Sequence, residues 1–175
     1  MREHNPLQQF VHAMTDIIVL ISLAWFIVHS FLSTEIISGH SMEPSLSAGD
    51  LVMVDTLRYQ FVKPKRFDIV EFRRSGHDDN VKRVVALPGE TIVIQNNRIY
   101  IDGRLLENDF LPDVSLAGIA ANPVQLGANE YFLIGDNADS SEDSRFSNVG
   151  NVRLEQIIGR VWFRLKPFNK FGPTK

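Results

Sequence analysis

The chain has no cysteine. That absence removes disulfides, thiolate metal sites and a cysteine nucleophile together, and it leaves the compartment open. A basic excess is also missing: 18 Lys and Arg stand against 21 Asp and Glu, a net charge of -3. There is thus no broad electrostatic case for nucleic acid as a partner. No internal repeat or low-complexity tract is visible, and no helical period runs long after residue 33. What remains is 175 residues, 44% hydrophobic and 22% charged. That suits one globular domain with an appendage.

One long apolar run is present. Ile17 to Leu32 reads IIVLISLAWFIVHSFL with no formal charge. As a helix it rises about 24 Å, short of the roughly 30 Å hydrocarbon core of a bilayer. Extension back to Phe10 supplies the length and takes in Asp16, expected near one interface. A membrane anchor, a cleaved signal peptide and a buried core helix can each carry such a run. The residues that follow, Ser33-Thr34-Glu35-Ile36-Ile37, hold no small-x-small cleavage site, and the polar start is long for a signal peptide. An anchor is therefore the expectation. Arg2 precedes the run and no Lys or Arg follows until Arg58. Positive-inside reasoning then puts the N-terminus in the cytoplasm and the rest outside. The expected division is residues 1–34 for the cytoplasmic N-terminus and transmembrane anchor, and residues 35–175 for an extracytoplasmic domain.

Beyond the anchor come short apolar runs separated by turn signals. Leu51 to Val54, Asp68 to Phe72, Val81 to Leu87, Glu130 to Ile134 and Ile157 to Leu165 read as strands. Thr91 to Gln95 and Arg98 to Asp102 alternate around Asn96-Asn97, a hairpin signal because Asn tolerates positive φ. The expected fold is mainly β, an antiparallel sheet of short strands behind one transmembrane helix. Ser75 to Asn80, with His77, reads as a polar loop. Leu111 to Gly127, rich in Ala, Gly and Asn, reads as a surface excursion.

Three segments carry candidate chemistry. In Ser38-Gly39-His40-Ser41-Met42-Glu43-Pro44, a serine sits just ahead of a turn proline, which favours an extended Glu43. A serine hydroxyl is a poor nucleophile until a base takes its proton. Gly39 allows close approach of backbone and substrate, and the Ser41 amide can point at the oxygen of a scissile carbonyl. The second segment is Lys82-Arg83 within Val81 to Leu87. If the strand alternates, one of the two must point inward. An inward lysine loses hydration, and bringing its pKa from about 10.4 to about 8 takes roughly 3 kcal/mol, which burial can supply. The third segment, Gly135-Asp136-Asn137-Ala138-Asp139-Ser140-Ser141-Glu142-Asp143-Ser144-Arg145, puts Ala138 at a ligand position of a calcium-loop register and lacks that loop's glycine. It reads instead as a polar network for the lysine, with Asp143 pairing Arg145. No metal and no cofactor is expected. His40 adjoins Ser41, but neighbouring side chains on an extended chain diverge.

In this order and behind such an anchor, these segments resemble the bacterial type I signal peptidases, the membrane-bound Ser/Lys leader peptidases. The likeness runs from the anchor to about residue 163. It includes Ser41-Met42-Glu43-Pro44-Ser45-Leu46, Gly49-Asp50-Leu51-Val52, Arg66-Phe67-Asp68-Ile69-Val70, Lys82-Arg83 with Pro88-Gly89-Glu90, and Gly135-Asp136-Asn137 through Asp143-Ser144-Arg145. The resemblance implies Ser41 as nucleophile, Lys82 as general base, and Ser141 holding the lysine with Asp143 and Arg145 in support. It implies an oxyanion hole using the Ser41 amide. Many members add a serine hydroxyl at the position of Gly39, where a backbone donor or water must serve instead. Ala138 replaces a common arginine, and Glu90 a common aspartate. Ile37, Met42, Leu46 and Val81 are implied to line shallow apolar pockets for small side chains, matching Ala-x-Ala sites on signal-peptide-bearing preproteins. The implied enzyme is a serine endopeptidase of the plasma membrane bilayer, acting through an acyl-enzyme. A relative that matures a single exported protein, in a conjugation system or an organellar inner membrane, is the nearest rival. A non-catalytic anchored β domain that binds exported chains is the rival from another class.

Overall fold

The computed structural model describes residues 6–74, 76, 79–107, 111 and 113–174; His77 and half of its loop fall outside them. The apolar run forms α1 (Pro6–Phe31). Pro6 at the first helical position suits its fixed φ and missing N–H. Within α1, Pro6–Phe26 is long and apolar enough to cross a membrane by length and composition, and none of it is buried. The chain passes directly into β1 (Leu32–Ile36), where Leu32 pairs with Asp55. Leu32 thus belongs to the sheet rather than to the helix, and residue 34 lies inside β1.

The other elements follow in order: β2 (Leu51–Asp55), the short helix α2 (Arg58–Phe61), β3 (Ile69–Phe72), β4 (Asn80–Ala86), β5 (Thr91–Gln95), β6 (Arg98–Ile101), β7 (Arg104–Leu105), β8 (Val124–Gln125), β9 (Glu130–Ile134), β10 (Val152–Arg153), β11 (Ile157–Lys166) and β12 (Gly172–Pro173). The larger sheet has the order β1-β2-β11-β3-β4-β9-β10, with β12 on β11, and the smaller has the order β7-β6-β5-β8. Every pairing is antiparallel, so the mainly β expectation holds. Asn96 and Asn97 both take positive φ in the β5–β6 turn, the conformation that a two-residue hairpin of this hand requires.

Three apolar clusters fix the sheets. Ile37, Met42, Leu46, Val52, Val54, Ile69 and Val161 pack together, with Val81 at their margin. Val81 on β4 thereby packs against the cluster that holds Ile37 just past β1, although three strands separate β1 from β4 in the sheet. The sheet therefore curls, and the curl brings the Ser41 segment to β4. The smaller sheet closes on Val85, Ala86, Phe132 and Ile134.

The expected surface excursion is corrected here. Leu111, Val114, Ala120 and Leu126 are buried in the same cluster as the smaller sheet. The segment adds a 3-10 turn at Gly118–Ala121 and the strand β8. Its apolar residues are spaced irregularly, so they cap the small sheet without producing a period.

Candidate active site

Ser41 lies in a turn between β1 and β2. Ile37 donates to the Asp50 carbonyl at 2.9 Å and Gly49 to the Ile37 carbonyl at 2.7 Å, closing the base of this loop. Met42 and Leu46 anchor it in the core. The extended Glu43 expected ahead of Pro44 is not found. Leu46 N–H to the Met42 carbonyl at 2.8 Å and Glu43 N–H to the His40 carbonyl at 3.2 Å close a turn there instead. His40 faces Glu43, 3.0 Å from its carboxylate. The Ser41 amide makes no hydrogen bond among the described residues, so it is available to an incoming oxygen.

Lys82 reaches this turn from β4. Its Nζ donates to Ser41 Oγ at 2.8 Å and to the Val81 carbonyl at 3.1 Å. The residue is 3% exposed. Burial, the largest influence, lowers the amine from its ordinary value to about 8. Asp143 pulls the other way, Arg74 adds to the lowering, and Glu142 opposes it. Both hydrogen-bond partners are neutral. A neutral amine on the same 2.8 Å line accepts the serine proton, because each group can be donor or acceptor when uncharged.

Strand alternation predicts that one of Lys82 and Arg83 points inward; both are buried, a correction that follows from cover on both faces of β4. Arg83 is 0% exposed and forms a fork on Asp136, Nε to Oδ1 at 2.7 Å and Nη2 to Oδ2 at 2.6 Å. It also donates to the Phe67 carbonyl at 2.9 Å and to Ser45 Oγ at 3.2 Å. The Arg83–Asp136 pair thus ties β4 to the 135–145 loop and to the turn that holds Ser41. Sequence reasoning missed this strap; a second buried cation beside the first is its signal only once both faces of β4 are known to be covered.

The 135–145 loop is organised on Asp143. Asp143 accepts from Ser141 Oγ at 2.6 Å, Gly135 N–H at 3.0 Å, and Arg145 Nε and Nη2 at 2.8 and 2.9 Å. Arg145 also donates to the Leu116 and Ala138 carbonyls. The Asp143–Arg145 pairing expected from sequence is present. Ser141 differs from expectation. It holds Asp143, and Lys82 has no hydrogen bond to it. A carboxylate is the stronger acceptor for its hydroxyl proton.

Gly135 also matters sterically. A Cβ there falls 2.3 Å from Ser141 Oγ and 2.4 Å from the Ser41 carbonyl oxygen. The same Ser41 carbonyl accepts from Asn137 N–H at 2.9 Å. The loop therefore grips the candidate nucleophile by its backbone, and only glycine permits the approach.

A cleft of about 90 Å³ opens beside the pair, lined among others by Ile37, Gly39, Ser41, Met42, Val81 and Lys82. Leu46, expected at its surface, is fully buried beneath it. A Cβ on Gly39 meets nothing within 4 Å, so this rim is open. Such a volume is far below the several hundred Å³ of a small-molecule site and accommodates small side chains.

The family described as signal peptidase, peptidase S26, matches residues 9–166. A Signal peptidase I of Bacillus caldolyticus is 35% identical over 152 residues, covering 80% of this chain and 82% of that protein. A Signal peptidase IB of Staphylococcus aureus (strain Mu50) is 31% identical over 165 residues, covering 83% and 84%. The crystal structure of a signal peptidase I from Enterococcus faecalis V583 is 29% identical with a TM-score of 0.48, covering 57% of this chain and 97% of that one.

Proposed function

The chain belongs to the signal peptidase family, peptidase S26, and from that premise we propose that it removes signal peptides from exported preproteins with Ser41 as nucleophile and Lys82 as general base. The observation that carries this reading is the 2.8 Å line between Lys82 Nζ and Ser41 Oγ, with the amine brought down to about 8.

Neutral Lys82 takes the hydroxyl proton as Ser41 Oγ attacks the scissile carbonyl carbon. The carbonyl oxygen gains the negative charge beside the Ser41 N–H. As the C–N bond breaks, the Lys82 ammonium passes its proton to the leaving amine, and an ester to Ser41 remains. Water then attacks that ester while Lys82 takes its proton. The C–O bond breaks, the proton goes to Ser41 Oγ, and the signal peptide leaves with a new carboxyl end.

Substrate binds as an extended strand in the cleft between residues 37–42 and 79–82. β9 pairs with β4 only from Arg83 onward, which leaves the Lys82 end of β4 for such an addition. Ile37, Met42 and Val81 receive the small side chain beside the scissile bond. α1 supports a single-pass anchor in the plasma membrane, with the N-terminus cytoplasmic and the catalytic domain outside. Anchoring holds the cleft where the apolar segment of a preprotein already lies, and that proximity lowers the entropic cost of meeting it.

Processing of a preprotein in detergent tests the assignment. Ser41→Ala should abolish cleavage while the protein stays folded. Lys82→Arg should do the same, because a guanidinium keeps its proton. Normal cleavage by either variant refutes the Ser/Lys mechanism.

A further inference from the structure

No residue lies between α1 and β1. The helix runs to Phe31, and Leu32 already pairs with Asp55 of β2. The ladder continues without a register shift to Ile36 opposite Leu51. Ile37 then donates to the Asp50 carbonyl at 2.9 Å and accepts from Gly49 N–H at 2.7 Å, and the Ser41 turn follows. β2 is in turn held by β11. The path from the end of the helix to the Ser41 turn is therefore bonded into the sheet, with no slack in it. A flexible joint behaves differently: eight Gly/Ser residues have an r.m.s. reach of about 15 Å in any direction. β1 and Ile37 instead span one fixed distance, roughly 20 Å at about 3.3 Å per residue.

β1 also borders the cleft. Glu35, Ile36 and Ile37 line it together with Ser41 and Lys82. Among the described residues β1 pairs with β2 alone, at the outer edge of the larger sheet. A substrate strand that enters along this edge climbs beside β1 towards Ser41. The apolar segment of such a substrate lies in the same bilayer as α1 and ends at the same surface. From that surface both chains rise extended, so the length of the substrate is measured against the length of β1.

We propose that the joint between α1 and β1 is a ruler. It fixes the height of Ser41 above the bilayer and selects preproteins whose scissile bond lies about five or six extended residues beyond the apolar segment. This rests on the peptidase reading above, with α1 as the anchor. The ruler adds a criterion that side-chain fit does not contain. A cleft for small side chains accepts any Ala-x-Ala stretch of an exported chain, and only a stretch at the right height is presented to Ser41.

The full chain, co-reconstituted with precursors in vesicles of phosphatidylcholine and phosphatidylglycerol, tests this. Every precursor has one apolar segment and the same five residues before the scissile bond, ending in Ala-x-Ala. Between the two stand zero, three or six prolines, a stiff spacer that lifts the bond by about 3.1 Å per residue. The native enzyme should cut the precursor without prolines about tenfold or more faster than the six-proline one, because a tether that cannot span its sites loses nearly all effective concentration. Insertion of seven helix-forming residues between Phe31 and Leu32 raises the domain by about 10 Å and, at two turns, keeps its facing. The three-proline precursor should then become the fastest. Insertion of eight Gly/Ser residues at the same place should bring the native ratio down to about 2 or less. Each comparison is made within one enzyme, so a general loss of activity cancels. A soluble peptide with the same five residues and no apolar segment should be cut at one rate by all three enzymes. Native rates within twofold of one another across the precursors overturn the ruler. So does an optimum that the helical insertion leaves at zero prolines, or a tenfold ratio that survives the Gly/Ser insertion. In each of these cases cleavage still occurs and the peptidase reading stands. If the native enzyme cuts neither the precursors nor the soluble peptide, the peptidase reading falls and the ruler falls with it.

Discussion

The pH dependence of cleavage tests the proposed base most directly. Lys82 is brought down to about 8, first by burial. Only its neutral form can take the Ser41 proton. That form makes up about 1% of the enzyme at pH 6, about 10% at pH 7, about half at pH 8 and about 90% at pH 9. Accordingly kcat/KM should rise about tenfold from pH 6 to 7, about fivefold more to pH 8, and less than twofold after that. The assay is initial-rate cleavage of a peptide with no group titrating in that range, at constant ionic strength. A companion variant, Arg74→Gln, moves the curve in a known direction. Arg74 disfavours the charged amine, and it also holds Glu142, which favours it, through hydrogen bonds at 2.6 and 3.0 Å. Removing Arg74 should move the midpoint to higher pH. A profile that is flat from pH 6 to 9, or centred near the ordinary lysine value of about 10.4, would refute the argument that a desolvated amine is the base.

Other expectations follow from the same geometry. Folding should favour an apolar residue at position 82 below pH 8. There Lys82 is protonated in both folded and unfolded chains, and the folded chain bears the full desolvation cost. Between about 8 and 10.5 the unfolded chain binds the extra proton, so native stability rises with pH. Lys82→Met should therefore be inactive yet more stable at pH 6–7 by about 2–3 kcal/mol, a gain that shrinks towards pH 10 in thermal melts. Gly135→Ala forces a Cβ to 2.4 Å from the Ser41 carbonyl oxygen. It should lower kcat by about a hundredfold or more through loss of the Ser41–Lys82 alignment; unchanged kcat would contradict the grip described for that loop. Asp143→Asn leaves the Arg145 guanidinium, 0% exposed, without a carboxylate. Denaturant unfolding should show a loss of about 3–5 kcal/mol, and a loss under 1 kcal/mol would mean that the network is not needed for folding.

Much of this molecule could be read from residue pattern alone, and the parts that could not share a cause. Strands with a strict period or a decisive turn were legible. The β5–β6 hairpin follows from Asn96-Asn97, and β4 from an apolar run that ends at Pro88-Gly89. Leu32 was misread as the end of the helix because Leu is apolar enough for both settings; pairing with Asp55 across β2 decides it. Leu111 to Leu126 has no period because its buried residues cap the small sheet from an irregular path. In the candidate site, Ser41, Lys82, Asp143 and Arg145 were legible as residue types in order. The hydroxyl of Ser141 was assigned to the wrong partner, since its choice between amine and carboxylate depends on a fold distance.

The contrast between Lys82 and Arg83 explains why the site is arranged as it is. They are adjacent on β4, and both are withdrawn from water. A buried cation is tolerated when a carboxylate forks onto it, as Asp136 does for Arg83. Had Asp143 been placed against Lys82 in the same manner, the pair would hold the proton on the amine and no base would exist near neutral pH. Asp143 instead spends its oxygens on Ser141, Gly135 and Arg145. It acts on Lys82 only through space, as the largest force raising an amine that burial lowers. Ser141 contributes one of the hydrogen bonds that take up the oxygens of Asp143. The surrounding ion pairs do more than stabilise the fold: they use up the carboxylates, so that the one amine facing Ser41 has only neutral hydrogen-bond partners.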